Sequence, residues 1–156
     1  MNPEYYKLLH GVPLFAEFTE AEIEGALDLI DKVQFPAGEC IVRQDEKGDC
    51  MFVLIDGTAR VVHRRDGKEF ELAILKVGDF FGELALVDSG PRSADVETIT
   101  PCTLLRVEHG ALRAIAGVYP NAAFKLLIAV GRALVTRMRK GNQKYIDSLL
   151  AGTDGH

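Results

Sequence analysis

The sequence predicts a mainly β protein with helices at both ends. Three observations carry that reading. Glycines recur every nine to eleven residues, at 38, 48, 57, 67 and 78, with short β-branched and apolar runs between them. That is the spacing of short strands joined by turns in a sandwich or barrel. Two of these glycines follow aspartate, in Asp56-Gly57 and Asp66-Gly67, the strongest short hairpin signal. On either side of this region apolar residues change to steps of three and four, the helical period.

The elements follow in order. Residues 4–10 carry aromatic and apolar side chains at helical spacing, and Gly11-Val12-Pro13 breaks the helix they predict. Phe18-Thr19-Glu20-Ala21-Glu22 reads as a second helix start. Thr19 is the N-cap, and Glu22 three residues on closes a capping box. Ile23, Ala26, Leu27 and Ile30 then make one apolar face. From residue 33 the period becomes that of strands. The runs are Cys40-Ile41-Val42, Met51-Phe52-Val53-Leu54-Ile55, Ala59-Arg60-Val61-Val62 and Glu71-Leu72-Ala73-Ile74-Leu75. Two more strands are expected at residues 94–98 and 102–107, with Pro101 in the turn, where a missing N–H does no harm. Ala94 and Val96 share the core face by alternation. A short helix follows at residues 108–116, ended by Gly117.

A long helix then starts at Tyr119-Pro120-Asn121 and runs to about Leu150. Pro120 suits its first turn, where no N–H is needed. Phe124, Leu127, Gly131, Leu134, Met138 and Tyr145 form a coiled-coil-like stripe. Gly131 and Gly141 cost about 1 kcal/mol each against alanine, and mark a kink or a close approach. About thirty residues of helix span roughly 45 Å, more than so small a body covers. Pairing with a second copy is therefore favoured over lying along its own β body. The cations Arg132, Arg137, Arg139, Lys140 and Lys144 read as a solvated face rather than a nucleic-acid contact.

One stretch organises the rest: Phe80-Phe81-Gly82-Glu83-Leu84-Ala85-Leu86-Val87-Asp88-Ser89-Gly90-Pro91-Arg92-Ser93-Ala94-Asp95-Val96. It reads as a strand end, a glycine, an apolar helical turn, a Gly-Pro loop and an arginine heading a strand. Gly82 lets backbone approach a ligand closely. A helix opening at Glu83 offers free N–H groups to an anion. Arg92 has a planar fork that matches two phosphate oxygens. Glu83 is an acceptor for a sugar hydroxyl. A carboxylate beside a phosphate is otherwise repelled, so the pair points to a ligand with both groups.

At these residues the chain resembles the phosphate-binding cassette of the cyclic nucleotide-binding domain family. That family includes catabolite activator proteins and protein kinase A regulatory subunits. Its pattern runs roughly F-G-E-[LI]-A-L, a short loop, then P-R-[AST]-A, and residues 81–86 and 91–94 match it. Gly48-Asp49-Cys50-Met51-Phe52 with Gly57, and Val77-Gly78-Asp79-Phe80-Phe81, are similar to the family's strand entries. The resemblance spans roughly residues 12–145. It implies a jelly-roll-like β-roll (a double-stranded β-helix) with N-terminal helices and a long C-terminal helix. It implies a cyclic nucleotide-binding domain over residues 1–150, with the β-roll at 33–107, C-terminal helices at 108–150 and a tail at 151–156. The ligand-binding set it implies is Gly82, Glu83, Leu84, Ala85, Arg92, Ser93 and Ala94. Arg92 and backbone N–H groups at Gly82, Leu84 and Ala85 would hold the cyclic phosphate, and Glu83 the ribose 2′-hydroxyl. Ser93 leaves the base open between cAMP and cGMP, with cAMP preferred. Asp95 departs from the family's usual threonine or serine. Its carboxylate would oppose a phosphate or favour an amino-bearing base. Arg132 and Arg137 are candidates to cap the base. In the family, ligand shifts the C-terminal helix, and such helices pair in homodimers, here through residues 120–150. The alternative is a degenerate cassette that serves only as an interaction or dimerisation module.

Composition bounds the other classes. The 156 residues carry a net charge of −5 with a pI near 5.4, which argues against a nucleic-acid partner. A DNA-binding regulator would also need a helix-turn-helix, and six residues follow Leu150. No apolar run of eighteen residues suggests a membrane span, and the N-terminus lacks a signal-peptide pattern. Cys40, Cys50 and Cys102 have no metal-like spacing and read as reduced thiols of a cytoplasmic protein. His10, His63, His109 and His156 lie too far apart in sequence for a metal site, and only His63 falls in the β-roll, against a cupin-like metalloenzyme. No nucleophile is paired with a base, so no enzyme is expected.

Overall fold

The computed structural model describes residues 3–86 and 90–154. The chain runs α1 (Pro3–His10), a 3-10 turn (Pro13–Phe15) and α2 (Glu20–Leu27) into the β region. The strands are β1 (Asp31–Phe35), β2 (Cys40–Val42), β3 (Lys47–Gly48), β4 (Cys50–Asp56), β5 (Ala59–Arg65) and β6 (Lys68–Leu75). They continue with β7 (Phe80–Phe81), a 3-10 turn (Glu83–Leu86), β8 (Gly90–Pro91), β9 (Asp95–Thr98) and β10 (Cys102–Glu108). Helices α3 (His109–Val118) and α4 (Pro120–Asp154) close the chain. Two four-stranded antiparallel sheets, β1-β10-β4-β7 and β2-β9-β5-β6, face each other, and β3 pairs β8 in a ribbon. This is the β-roll flanked by helices that the resemblance implies.

The unbroken apolar run of β4 follows from its place between two cores. Met51, Val53 and Ile55 point into a cluster with the helices, alongside Leu9, Phe15 and Ile23. Cys50, Phe52 and Leu54 point the other way, into a cluster between the sheets with Ala59, Val96 and Leu104. Period two therefore distributes one strand over both faces. Each fully buried Leu, Val or Phe here contributes about 1.5–3 kcal/mol of transfer free energy.

The capping box forms as the sequence predicts: Glu22 N donates to Thr19 Oγ1 at 3.2 Å, and Thr19 N to Glu22 Oε1 at 2.9 Å. Lys125 on α4 also reaches Glu22, at 2.6 Å, and ties the two helices together. Burial alone would push the Glu22 carboxyl up, but Lys125 and the Thr19 bonds more than offset it and hold it below the usual carboxylate range. Tyr119 lies against Gly25, where an added Cβ would come within 2.1 Å of its ring.

Several expectations are corrected. Asp66-Gly67 closes the β5–β6 hairpin, with both residues at positive φ. Asp56-Gly57 closes none: β4 and β5 lie in different sheets, and the chain crosses between them here. Gly57 is needed because its φ is +96° and a Cβ would sit 2.3 Å from Pro101 O. Gly117 lies inside α3, which runs on to Val118. Around Glu83 there is a single 3-10 turn of four residues, not a full helix, so little dipole accumulates.

Helix α4 continues past Leu150 to Asp154 and passes through Gly131 and Gly141 without a break. A Cβ at either glycine would meet open space. The helix docks through another face, with Ala122, Ala123, Leu126 and Val130 buried. The stripe the sequence singles out stays largely open, with Phe124 65%, Met138 67% and Tyr145 66% exposed.

Candidate functional site

The site is built where β8, the segment before β3 and the 3-10 turn meet. Arg92 N donates to Glu46 O at 2.8 Å, and Asp45 N donates to Arg92 O at 2.8 Å, which fixes the arginine's backbone. Asp45 takes φ +69° to allow this. The guanidinium folds inward across two glycines. A Cβ on Gly48 would lie 2.1 Å from Arg92 Nε, and one on Gly82, at φ +77°, would lie 2.3 Å from Nη1. The cassette glycine thus makes room for the arginine as well as for a ligand. Arg92 Nη2 donates to Cys50 O at 2.7 Å, and Nη1 to Gly82 O at 3.4 Å. Nη2 also lies 3.7 Å from Cys50 Sγ, whose pKa burial pushes up.

Glu83 is 7% exposed. Its partner is Arg137 of α4, which donates Nη1 to Glu83 Oε1 and Nη2 to Phe80 O at 3.0 Å. The Arg137 guanidinium also sits over the Phe80 ring, 5.0 Å from its centroid. His109 Nδ1, at the head of α3, lies 2.8 Å from Leu86 O. Both C-terminal helices therefore touch the 3-10 turn. Ala85 is buried, and its N–H bonds to Gly82 O at 3.1 Å within the turn. The backbone of Leu84 lies in the same turn. Ser93 is exposed, with its carbonyl 3.0 Å from His63 Nδ1, and Ala94 is buried on the core face with Val96. Val87, Asp88 and Ser89 lie outside the described residues.

Asp95 is less opposed to an anion than its charge suggests. It pairs with Arg64, and its Oδ1 accepts from Gln44 N at 2.6 Å. Arg64 also meets Glu97 at 2.6 Å and Arg60 meets Glu97 at 2.9 Å, a network on the outer face of β5 and β9. Burial alone raises the Glu97 carboxyl, and the two arginines bring it below its ordinary value.

Gly82, Glu83, Ala85 and Arg92 lie close together in the structure. Ser93 and Ala94 follow on with one side chain out and one in. Arg137, expected on a solvated helix face or as a base cap, instead meets Glu83. Its signal was periodicity: 126, 130 and 137 continue one α4 face at steps of four and seven. Arg132 pairs with Glu17 at 3.5 Å on an exposed edge. A groove of about 410 Å³ runs between the Pro13 turn and α4, with Phe80, Lys125 and Arg132 in its wall. None of its described lining residues belongs to the expected ligand-binding set. No helix of the described residues is long and apolar enough to cross a membrane, and no metal-ligating cluster occurs among them.

The signature of the cyclic nucleotide-binding domain matches residues 32–119, more than half of the chain. The chain belongs to the cyclic nucleotide-binding domain family. A CRP-like cAMP-activated global transcriptional regulator of Mycobacterium tuberculosis is 29% identical over 96% of this chain and 65% of its own length. A cAMP-dependent protein kinase regulatory subunit of Mycosarcoma maydis is 37% identical over 59% of this chain and 18% of its own. The solved N-terminal domain of a transcriptional regulator from Streptomyces coelicolor A3(2) superposes with a TM-score of 0.73 at 31% identity. It covers 88% of this chain and 94% of that one. The chain spans less than two thirds of the length of these curated relatives.

Proposed function

We propose that this chain is a cyclic-nucleotide receptor module of the non-enzymatic, regulatory kind, with cAMP preferred to cGMP. The observation that carries the proposal is Arg92, which lies over two glycine Cα atoms and beside the turn that bears buried Glu83. In this state the guanidinium donates to neutral main-chain carbonyls. A cyclic phosphodiester gives it an anionic acceptor instead, and charge-assisted bonds are the stronger ones. Backbone N–H groups of the turn assist, and Glu83 accepts from the ribose 2′-hydroxyl. Pairing of Asp95 with Arg64 removes a local objection to an anion. Calorimetric titration with cAMP and cGMP tests this, with cAMP binding the tighter. A second reading is a cassette that binds nothing and serves only for contacts with other proteins. It is favoured by the internal partners that Arg92 and Glu83 already have, and heat-silent titrations with both nucleotides would establish it.

Ligand binding biases the arrangement of α4, because a ligand shifts an equilibrium toward the state it binds better. The same helix pairs two copies. Phe124, Leu127, Ile128, Val135, Met138 and Tyr145 are all exposed, and 124/128, 128/135, 135/138 and 138/145 are separated by the three-, four- and seven-residue steps of a coiled-coil seam. The net charge of −5 over the whole chain argues against a nucleic-acid partner, and the setting we propose is the cytoplasm. Sedimentation should give a dimer, and Met138→Lys a monomer. A wild-type monomer at tens of micromolar would remove the pairing.

A further inference from the structure

We propose that Asp95 is a positioning residue for Arg92: it pins the turn at residues 43–46, and that turn clamps the main chain of the arginine. The consequence for ligand binding rests on the receptor reading above; the clamp itself does not. The turn follows β2 and is closed by Glu46 N donating to Arg43 O at 3.3 Å. Asp45 holds φ +69° within it. Aspartate tolerates that left-handed conformation better than most residues, but it persists only where the surroundings impose it. Asp95 Oδ1 accepts from Gln44 N at 2.6 Å. The Gln44 side chain then bonds the main chain of Arg64 in both directions, Nε2 donating to Arg64 O and Arg64 N donating to Oε1, each at 2.9 Å. The Arg64 side chain returns to Asp95 Oδ2, which closes a ring of bonds between β5, β9 and the turn. On the other side of the turn, Asp45 N donates to Arg92 O and Arg92 N to Glu46 O, both at 2.8 Å. One edge of the turn is thus fixed on Asp95, and the other edge fixes Arg92.

The residue type matters. A carboxylate has two oxygens, one for Gln44 N and one for Arg64, whereas the hydroxyl of a serine or threonine has a single oxygen set closer to the backbone. The departure from the usual hydroxyl is therefore matched by a cation on the adjoining strand. The Asp95 side chain is 16% exposed, and a carboxylate so far out of water requires the bonds that both its oxygens make. Hydrogen bonds from a guanidinium fork to a phosphodiester are directional, so they depend on where the arginine's own backbone is held. Releasing the turn loosens that hold without altering any atom that meets the ligand.

The test titrates cAMP calorimetrically into variants of the full chain, with thermal melts to confirm folding. Asp95→Ala should weaken binding about three- to tenfold, the effect of one lost main-chain hydrogen bond. Asp95→Asn keeps an oxygen for Gln44 N and should recover most of the loss. Gln44→Ala frees the same turn from β5 and should weaken binding comparably, so it carries the test if Asp95→Ala does not fold. Glu69→Gln touches Arg60 and Arg64 but not the turn, and should stay within about twofold of wild type. In an Arg92→Ala background, Asp95→Ala should add less than about twofold, because it acts through the arginine. Without ligand, amide exchange at Asp45 and Arg92 should quicken in Asp95→Ala while the amides of β4 keep their rates. Wild-type affinity in both Asp95→Ala and Gln44→Ala overturns the inference. So does Asp95→Asn as weak as Asp95→Ala, a full second loss in the Arg92→Ala background, or exchange that quickens equally in every strand. If wild type binds neither nucleotide, the receptor reading fails, and exchange at Asp45 and Arg92 alone decides the clamp: rates unmoved by Asp95→Ala overturn it.

Discussion

Arg92→Ala is expected to raise the dissociation constant for cAMP at least about tenfold, and this is the largest functional effect of any single change in the cassette. A hydrogen bond to a charged group contributes roughly 1.5–3 kcal/mol net, and about 1.4 kcal/mol is a factor of ten. The planar fork offers more than one such bond to a phosphodiester, so the lower figure is a floor. Its two present acceptors, Cys50 O and Gly82 O, are neutral, which leaves the anion as the better partner. Arg92→Lys should lie between, because a lysine keeps the charge and loses the fork. The melting temperature should change little, since the arginine belongs to neither apolar cluster. Calorimetry with all three proteins decides it. Affinity that survives the alanine change would remove Arg92 from the site.

Leu126→Ala is expected to have the largest effect on stability. Leu126 is 1% exposed in the cluster that joins α4 to β4, α2 and α3. Truncating a buried leucine costs about 2–5 kcal/mol. At roughly 2–4 °C per kcal/mol for a chain of this size, the melting temperature should fall by about 5–15 °C. Leu127, its neighbour, is 44% exposed. Leu127→Ala should cost well under half as much in dilute solution. Differential scanning calorimetry of both variants checks the assignment of faces, and the opposite ranking would mean that α4 docks through a different side.

Much of this was legible in the sequence because it depends on neighbours along the chain. The Thr19 capping box is set by residues three apart, and the Asp66-Gly67 turn by two adjacent residues; both form as read. The cassette is also local, and its glycine, acid and arginine assemble in one place. Asp56-Gly57 carries the same local signal as Asp66-Gly67 but closes no hairpin. The strand that follows it finds better partners in β6 and β9 than in β4. Gly117 is a local stop signal, yet packing of Leu112 and Ile115 in the helical core carries α3 past it. What no local pattern shows is which distant charge arrives where. Arg64 reaches Asp95 from thirty-one residues away, and Arg137 reaches Glu83 from fifty-four. Asp95 therefore looked like an obstacle, and Arg137 like one more cation on a wet helix face.

Helix α4 is anchored to the body as far as Arg137 and then runs seventeen residues further to Asp154. At 1.5 Å per residue that arm is about 26 Å long. A pivot of only about 5° at its root sweeps its tip through roughly 2 Å, the product of that length and the angle. A small tilt where the helix leaves the cassette would thus be magnified at its far end.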